Sequence, residues 1–198
     1  MKHQHMISKN TMISMVILTV GGLLLGFWCA TNLSQQELSY CTAFVDQLFA
    51  IPAEPFQYFL EQSVSIGCLV TLVFLCGFSM LGIPIILFLF YLKGIQIGFI
   101  TSILFIVYQF KGIPAVVLIL LPAVFTELFS YFLIGSASLQ LSSTLLMRLT
   151  EPSKKLSMLT TINQKLSSFL VALVCAVVTG GMKSTFCLWM IQLFHQTM

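Results

Sequence analysis

Three ionisable residues, Lys93, Glu127 and Lys183, lie inside long apolar runs, where a lone charge costs at least a few kcal/mol. Residues of this kind pair with one another, line a path for ions or protons, or reach out to the lipid headgroups. Which of these applies depends on which positions the helices bring to one height. If the third and fourth apolar runs form an antiparallel hairpin about Lys111-Gly112, Lys93 stands opposite Ser130, less than one turn (about 5 Å) from the height of Glu127. A Lys93–Glu127 ion pair is then within reach. It reads first as a fastener between two helices and second as part of an ion or proton pathway, because pumps carry several such groups. If the chain instead turns at Lys93-Gly94, Lys93 snorkels at the cytoplasmic edge. Lys183, after Gly180-Gly181 in the outer half of the last run, also reads as a snorkelling lysine.

The elements that must carry these residues follow from composition. Of 198 residues, 58% are hydrophobic and 8% charged, where a soluble domain has roughly a quarter charged. Between Glu61 and Lys111 the one charged residue is Lys93, so this block is too apolar for water and too long for a single crossing. A hydrocarbon core about 30 Å thick takes about 20 apolar residues per helix, and the runs are continuous rather than alternating, which selects helices over a barrel. The expected fold is all-α, a polytopic transmembrane helical bundle with five spans, at about 12–30, 63–81, 83–110, 114–137 and 166–194. Residues 1–198 form a single membrane domain, with no linker, repeat or low-complexity tract to divide it. The turn between the second and third spans is placed near Gly82-Ile83-Pro84, since proline starts a helix more readily than it continues one.

Charge sets the expected orientation. Lys2, Lys9, Arg148, Lys154, Lys155 and Lys165 share one side in a five-span arrangement, and the 31–62 loop, with Glu37, Asp46, Glu54 and Glu61 and no Lys or Arg, falls on the other. Positive loops stay inside, which puts the N-terminus and the 138–165 loop in the cytoplasm and the C-terminus outside. The first span, at about 19 residues, is too long for a signal-peptide core and reads as uncleaved.

Gly22/Gly26 and Gly94/Gly98 each make a GxxxG pair, spacing that lets helix backbones approach closely, within one chain before between two copies. Pro122 is expected to bend the fourth span and aim Glu127. In the outer loop, Ser34-Gln35-Gln36-Glu37 is a capping box. It opens a short helix whose apolar face, Leu38, Cys41, Val45 and Leu48, either lies on the outer leaflet or docks an extracytoplasmic partner. Phe56, Tyr58 and Phe59 read as interfacial anchors. The scattered basic residues give nucleic acid no support as a partner, and most of the six cysteines, with no CxxC spacing, read as apolar packing residues; Cys41 alone sits in a polar segment, where a bond to Cys29 or Cys187 is the lesser alternative. No phosphate loop, exposed carboxylate pair or nucleophile motif is present, so neither catalysis nor a cofactor or metal is expected.

Four stretches together carry a likeness: Gly77-Phe78-Ser79-Met80-Leu81-Gly82-Ile83-Pro84, Leu92-Lys93-Gly94-Ile95-Gln96-Ile97-Gly98-Phe99, Lys111-Gly112, and Pro122 to Glu127. Through them the chain resembles the stage II sporulation protein M family, over residues 63–137 in detail and over the whole chain in span count. Broader-family members often have Pro-His-Gly ahead of the Glu; here Ala123 and Val124 stand in place of His and Gly, so no role of that histidine carries over. The resemblance implies a non-enzymatic membrane scaffold of endospore formation. It also implies partners, the stage II sporulation proteins D and P, peptidoglycan-degrading enzymes held at the septum for septal thinning and engulfment. From the residues alone the competing class is a small transporter or permease-like subunit using Lys93 and Glu127.

Overall fold

An apolar run in lipid can satisfy its amides only within its own segment, and the described residues do so with helices. The computed structural model describes residues 2–48, 54–79, 81–109, 116–150, 158–187 and 189. The helices are α1 (Lys2–Thr31), α2 (Gln35–Leu48), α3 (Pro55–Cys76), α4 (Gly82–Tyr108), α5 (Leu121–Thr150) and α6 (Met158–Gly181). A π-helical turn, Val116–Leu120, leads into α5, and a second, Met182–Cys187, continues α6. No strand occurs among the described residues. Five segments are long and apolar enough to cross a membrane: Met12–Thr31, Pro55–Cys76, Gly82–Tyr108, Leu121–Leu146 and Leu166–Thr185.

Several boundaries differ from those read in the sequence. The second span runs from Pro55 to Cys76, not from residue 63 to 81, because Pro55 takes the first helical position, where its missing amide costs nothing. The 31–62 segment is therefore largely helical; Tyr58 is half-buried against the cluster that holds Ile103 and Leu104, while Phe56 stays exposed. The turn at Lys93-Gly94 does not form, since α4 passes through both residues unbroken. The reversal lies at Gly77–Leu81, closed by the Gly82 amide donating to the Ser79 carbonyl at 3.1 Å. A Cβ on Gly82 would strike the Cys76 carbonyl and one on Gly77 the Ser138 backbone, so only glycine lets the chain double back here. Ser142 Oγ donates to the Ser79 carbonyl at 2.7 Å and ties the reversal to α5. In the 138–165 segment, α5 continues to Thr150 and α6 starts at Met158. The Lys111-Gly112 and Glu151-Pro152 turns lie outside the described residues.

Facing pairs give the helix directions. Gly22 meets Tyr91 and Gly26 meets Ile95 and Phe99, so α1 and α4 run parallel. Gly135 meets the Phe90 ring, so α5 runs antiparallel to α4, and Gly77 against Ser138 sets α3 parallel to α5. Ser63 against Gly180, and Phe74 stacked on Phe169 with centroids 4.4 Å apart, set α6 antiparallel to α3. Successive long helices thus alternate in direction. Half of the α5 span is buried inside the bundle, against 22% in each of the others, so α5 is the central helix.

The surface of the other helices is apolar: Ile17, Leu24, Trp28, Phe125 and Val174 are all more than half exposed. Lipid covers such side chains, and the helices cohere through close packing rather than through expulsion of water. The α1–α4 seam shows how. Buried positions on α4 recur every four residues, Ile86, Phe90, Gly94, Gly98 and Ser102, and a Cβ at Gly94 or Gly98 would run into the α1 backbone at Thr19 or Leu23. Both GxxxG pairs thus face each other within the chain. Interior apolar residues gather in two clusters. One holds Met15, Val70, Phe74, Phe90, Ile134 and Ala172; the other, at the α2 end, holds Ala30, Ile103, Leu104, Val116 and Ala123.

Candidate functional site

Between the two apolar clusters lies a polar layer centred on Glu127, the seventh residue of α5 and 5% exposed. Its carboxylate takes an ammonium on each oxygen: Lys93 Nζ from α4 at 2.5 Å on Oε1, and Lys183 Nζ from the π turn after α6 at 2.8 Å on Oε2. Each lysine has a second acceptor on its approach side, Gln96 Oε1 at 2.9 Å for Lys93 and Gln62 Oε1 at 3.3 Å for Lys183. Three helical elements therefore meet at one carboxylate, and α3 joins them through Gln62 on Lys183. Removing charges from water costs several kcal/mol per ion, and paired, hydrogen-bonded geometry of this kind offsets that cost.

The helix ends around the site are unusual in the way functional sites often are. Lys183 belongs to a π-helical turn, and α5 is entered through another, with the two turns in contact. Pro122 follows the π turn as the second residue of α5, so its ring falls where the regular helical pattern is already interrupted. A wider turn accommodates the ring and the missing amide that would break a regular helix. Glu127 then follows at the height of Lys93.

Tyr131, one turn after Glu127, completes the layer. Its ring lies 5.5 Å from Lys93 Nζ, and its hydroxyl is buried beside the Glu127 carboxylate without meeting hydrogen-bond geometry with any group among the described residues. A cavity of about 380 Å³ opens on this layer, lined by Glu127, both lysines, Gln62, Gln96 and Tyr131 and by apolar residues up to Leu104 and Leu120. A smaller apolar cleft of about 210 Å³ adjoins it between α3 and α4, sharing Lys93, Gln96, Tyr131 and Leu69 with it.

The structure brings Lys93 and Glu127 together and corrects the reading of Lys183, which does not snorkel but is the second cation on Glu127. A signal for this was present: Ala172, Ala176 and Thr179 are the buried stripe of α6, and Lys183 continues it by four residues. Gln96 and Tyr131 stand three and four residues after Lys93 and Glu127, the spacing that shares a helix face.

The other sequence candidates lie elsewhere. Gly22, Gly26, Gly94 and Gly98 form the α1–α4 seam. At the start of α2 the capping box forms, with the Ser34 amide and hydroxyl donating to Glu37 Oε2 at 2.8 and 2.6 Å. These bonds, hydroxyl first, hold the exposed Glu37 carboxyl below its ordinary value. Leu38 and Cys41 are half-buried, Cys41 against the outer apolar cluster, while the side chains of Val45 and Leu48 lie outside the described residues. Among the described residues the cysteines are free and no group of His, Cys, Asp and Glu could hold a metal.

No curated relative and no solved structure shows significant similarity to the chain. The family model for Stage II sporulation protein M matches residues 15–187, from the first span to the end of the second π turn and with all three charges of the buried layer inside it. The chain therefore belongs to the Stage II sporulation protein M family, and with its apolar helices it is a sporulation-related membrane protein.

Proposed function

We propose that this protein is a non-enzymatic integral membrane scaffold that holds peptidoglycan-degrading enzymes, the stage II sporulation proteins D and P, at the sporulation septum for septal thinning and engulfment. The observation that carries this reading is the family match over residues 15–187. The family is not known as enzymatic, and a carboxylate already saturated by two ammonium groups suits a fastener better than a proton carrier. Tethering a hydrolase to the septal membrane replaces three-dimensional encounter with a high effective concentration. In this reading the N-terminus is cytoplasmic and the C-terminus extracytoplasmic. The α2 end then faces the wall, where Tyr40, 78% exposed, is available to a partner while Cys41 is used by the bundle.

Deleting the gene in an endospore former and imaging fluorescent fusions of the two hydrolases tests this. Dispersal of the fusions and arrested engulfment are expected; hydrolases still at the septum with normal engulfment would refute the scaffold role. The cavity on the charged layer favours a second reading, a small transporter or permease-like subunit using Lys93 and Glu127. A Glu127→Gln protein that still assembles into its complex but loses all activity would support that reading over a passive scaffold.

A further inference from the structure

The polar layer does not balance. Among the described residues it sets two ammonium groups against one carboxylate, leaving a positive charge uncompensated where the surroundings are apolar. Both ammonium groups are paired with Glu127, yet the layer keeps a net positive charge in apolar surroundings, and such a layer favours a further anion. A second feature points to a ligand: the Tyr131 hydroxyl, on a residue 6% exposed and beside the Glu127 carboxylate, lines the cavity and meets hydrogen-bond geometry with no group among the described residues. At about 380 Å³ the cavity falls in the range of roughly 300–1,000 Å³ that holds small-molecule groups. What adjoins it narrows the ligand further. The 210 Å³ cleft is walled by Leu69, Val73, Leu89, Phe90 and Leu92, and Leu92 is 43% exposed on the lipid-facing surface. A charged cavity joined to an apolar slot that reaches the lipid matches an amphiphile with an anionic head and a hydrocarbon tail.

We propose that this site binds an anionic membrane phospholipid, its phosphate against Lys93, Lys183 and Tyr131 and the start of its tail in the cleft between α3 and α4. Gln96 and Gln62, whose amide oxygens accept from the two lysines, also line the cavity. The proposal concerns a ligand of the bundle and stands or falls apart from the scaffold reading.

The full-length chain, purified and titrated with phosphatidylglycerol or phosphatidylcholine, is examined by native mass spectrometry for retained lipid. Wild type is expected to retain phosphatidylglycerol about tenfold more strongly than phosphatidylcholine. Lys93→Met leaves a neutral Lys183–Glu127 pair and is expected to bring the two lipids to near parity, while Lys93→Arg, which keeps the charge, retains the preference. Leu89→Trp fills the apolar cleft and is expected to weaken phosphatidylglycerol retention. Inorganic phosphate should neither displace the lipid nor raise the melting temperature. Equal retention of both lipids by wild type, or an undiminished preference in Lys93→Met, would overturn the proposal. Displacement by inorganic phosphate with no effect of Leu89→Trp would make this a free-anion site and overturn the lipid assignment. Should Leu89→Trp fail to fold, the charge-removing and charge-keeping variants at Lys93 still decide the matter.

Discussion

Because one carboxylate serves two ammonium groups, the three members of the buried layer are not equivalent, and mutating them separately exposes the asymmetry. Glu127→Gln strands two cations between four helical elements with no anion, and breaking a buried ion pair by removing one partner costs about 3–5 kcal/mol. Lys93→Met leaves Glu127 bound to Lys183 at 2.8 Å, so no charge is orphaned; only a charged hydrogen bond is lost, about 1.5–3 kcal/mol. Lys183→Met behaves in the same way, through the 2.5 Å contact that remains. Replacing Lys93, Glu127 and Lys183 together by Met removes the desolvation cost along with the attraction. Apolar replacement of a whole buried ion set is often neutral, so the triple variant should return to within about 1–2 kcal/mol of wild type. Reversible unfolding of the detergent-solubilised chain, followed by far-UV circular dichroism across a denaturant series, measures all four. A Glu127→Gln variant no less stable than Lys93→Met, or a triple variant less stable than Glu127→Gln, would refute the argument that both lysines depend on one carboxylate.

Three further outcomes are expected. Gly94→Val should separate α1 from α4, because its Cβ meets the Thr19 carbonyl, at an overpacking cost of about 1–3 kcal/mol, while Gly21→Ala, with open space around it, should change stability by less than about 0.5 kcal/mol in the same unfolding assay. The folded-state pKa of Glu37 is depressed, so its cap supports α2 at pH values above the ordinary glutamate value of 4.5 and is lost as the pH falls through the folded pKa; the protection of the Leu38 and Ser39 amides, relative to their intrinsic exchange rates, should fall over that acidic window and not above it, and Glu37→Gln should abolish this change in protection. In a cysteine-free background, Glu54→Cys should react with an impermeant maleimide on intact cells and Lys154→Cys only after lysis; labelling of both from outside would reject the proposed orientation.

Much of the fold was legible because lipid imposes its own rules on sequence. Apolar length alone located the crossings at α1 and α4, since nothing but a helix can carry such a run through hydrocarbon, but it set the fourth span at about 114–137 where the structure has Leu121–Leu146. Boundaries were less legible where polar residues continue a helix past the apolar part: Gln57, Glu61 and Gln62 belong to α3 although composition reads as loop. Local devices with fixed spacing, such as the Ser34–Glu37 box, were readable because partners three residues apart meet without help from the rest of the fold. The reversal at Gly77–Leu81 was readable only to within a few residues, because whether glycine or proline ends a helix depends on what packs against it, here Ser138 and Ser142 of α5.

The candidate site divides along the same line. A hairpin between neighbouring spans puts Lys93 and Glu127 at one height whatever the rest of the bundle does, so their proximity is a property of chain order. Lys183 is 56 residues from Glu127 along the chain and Gln62 is 121 from Lys183, and no spacing rule reaches that far. Residue types and their periods determined that this chain lives in a membrane as helices and which charges lie at depth. Tertiary structure alone decided that α6 packs against α3 and α5, which turned a lysine expected at the headgroups into the second cation on a buried carboxylate and left the layer with one positive charge too many. The reason is physical: hydrophobicity tells a helix to enter lipid but not which neighbour to choose, and that choice is made by surface fit between small residues such as Ser63 and Gly180.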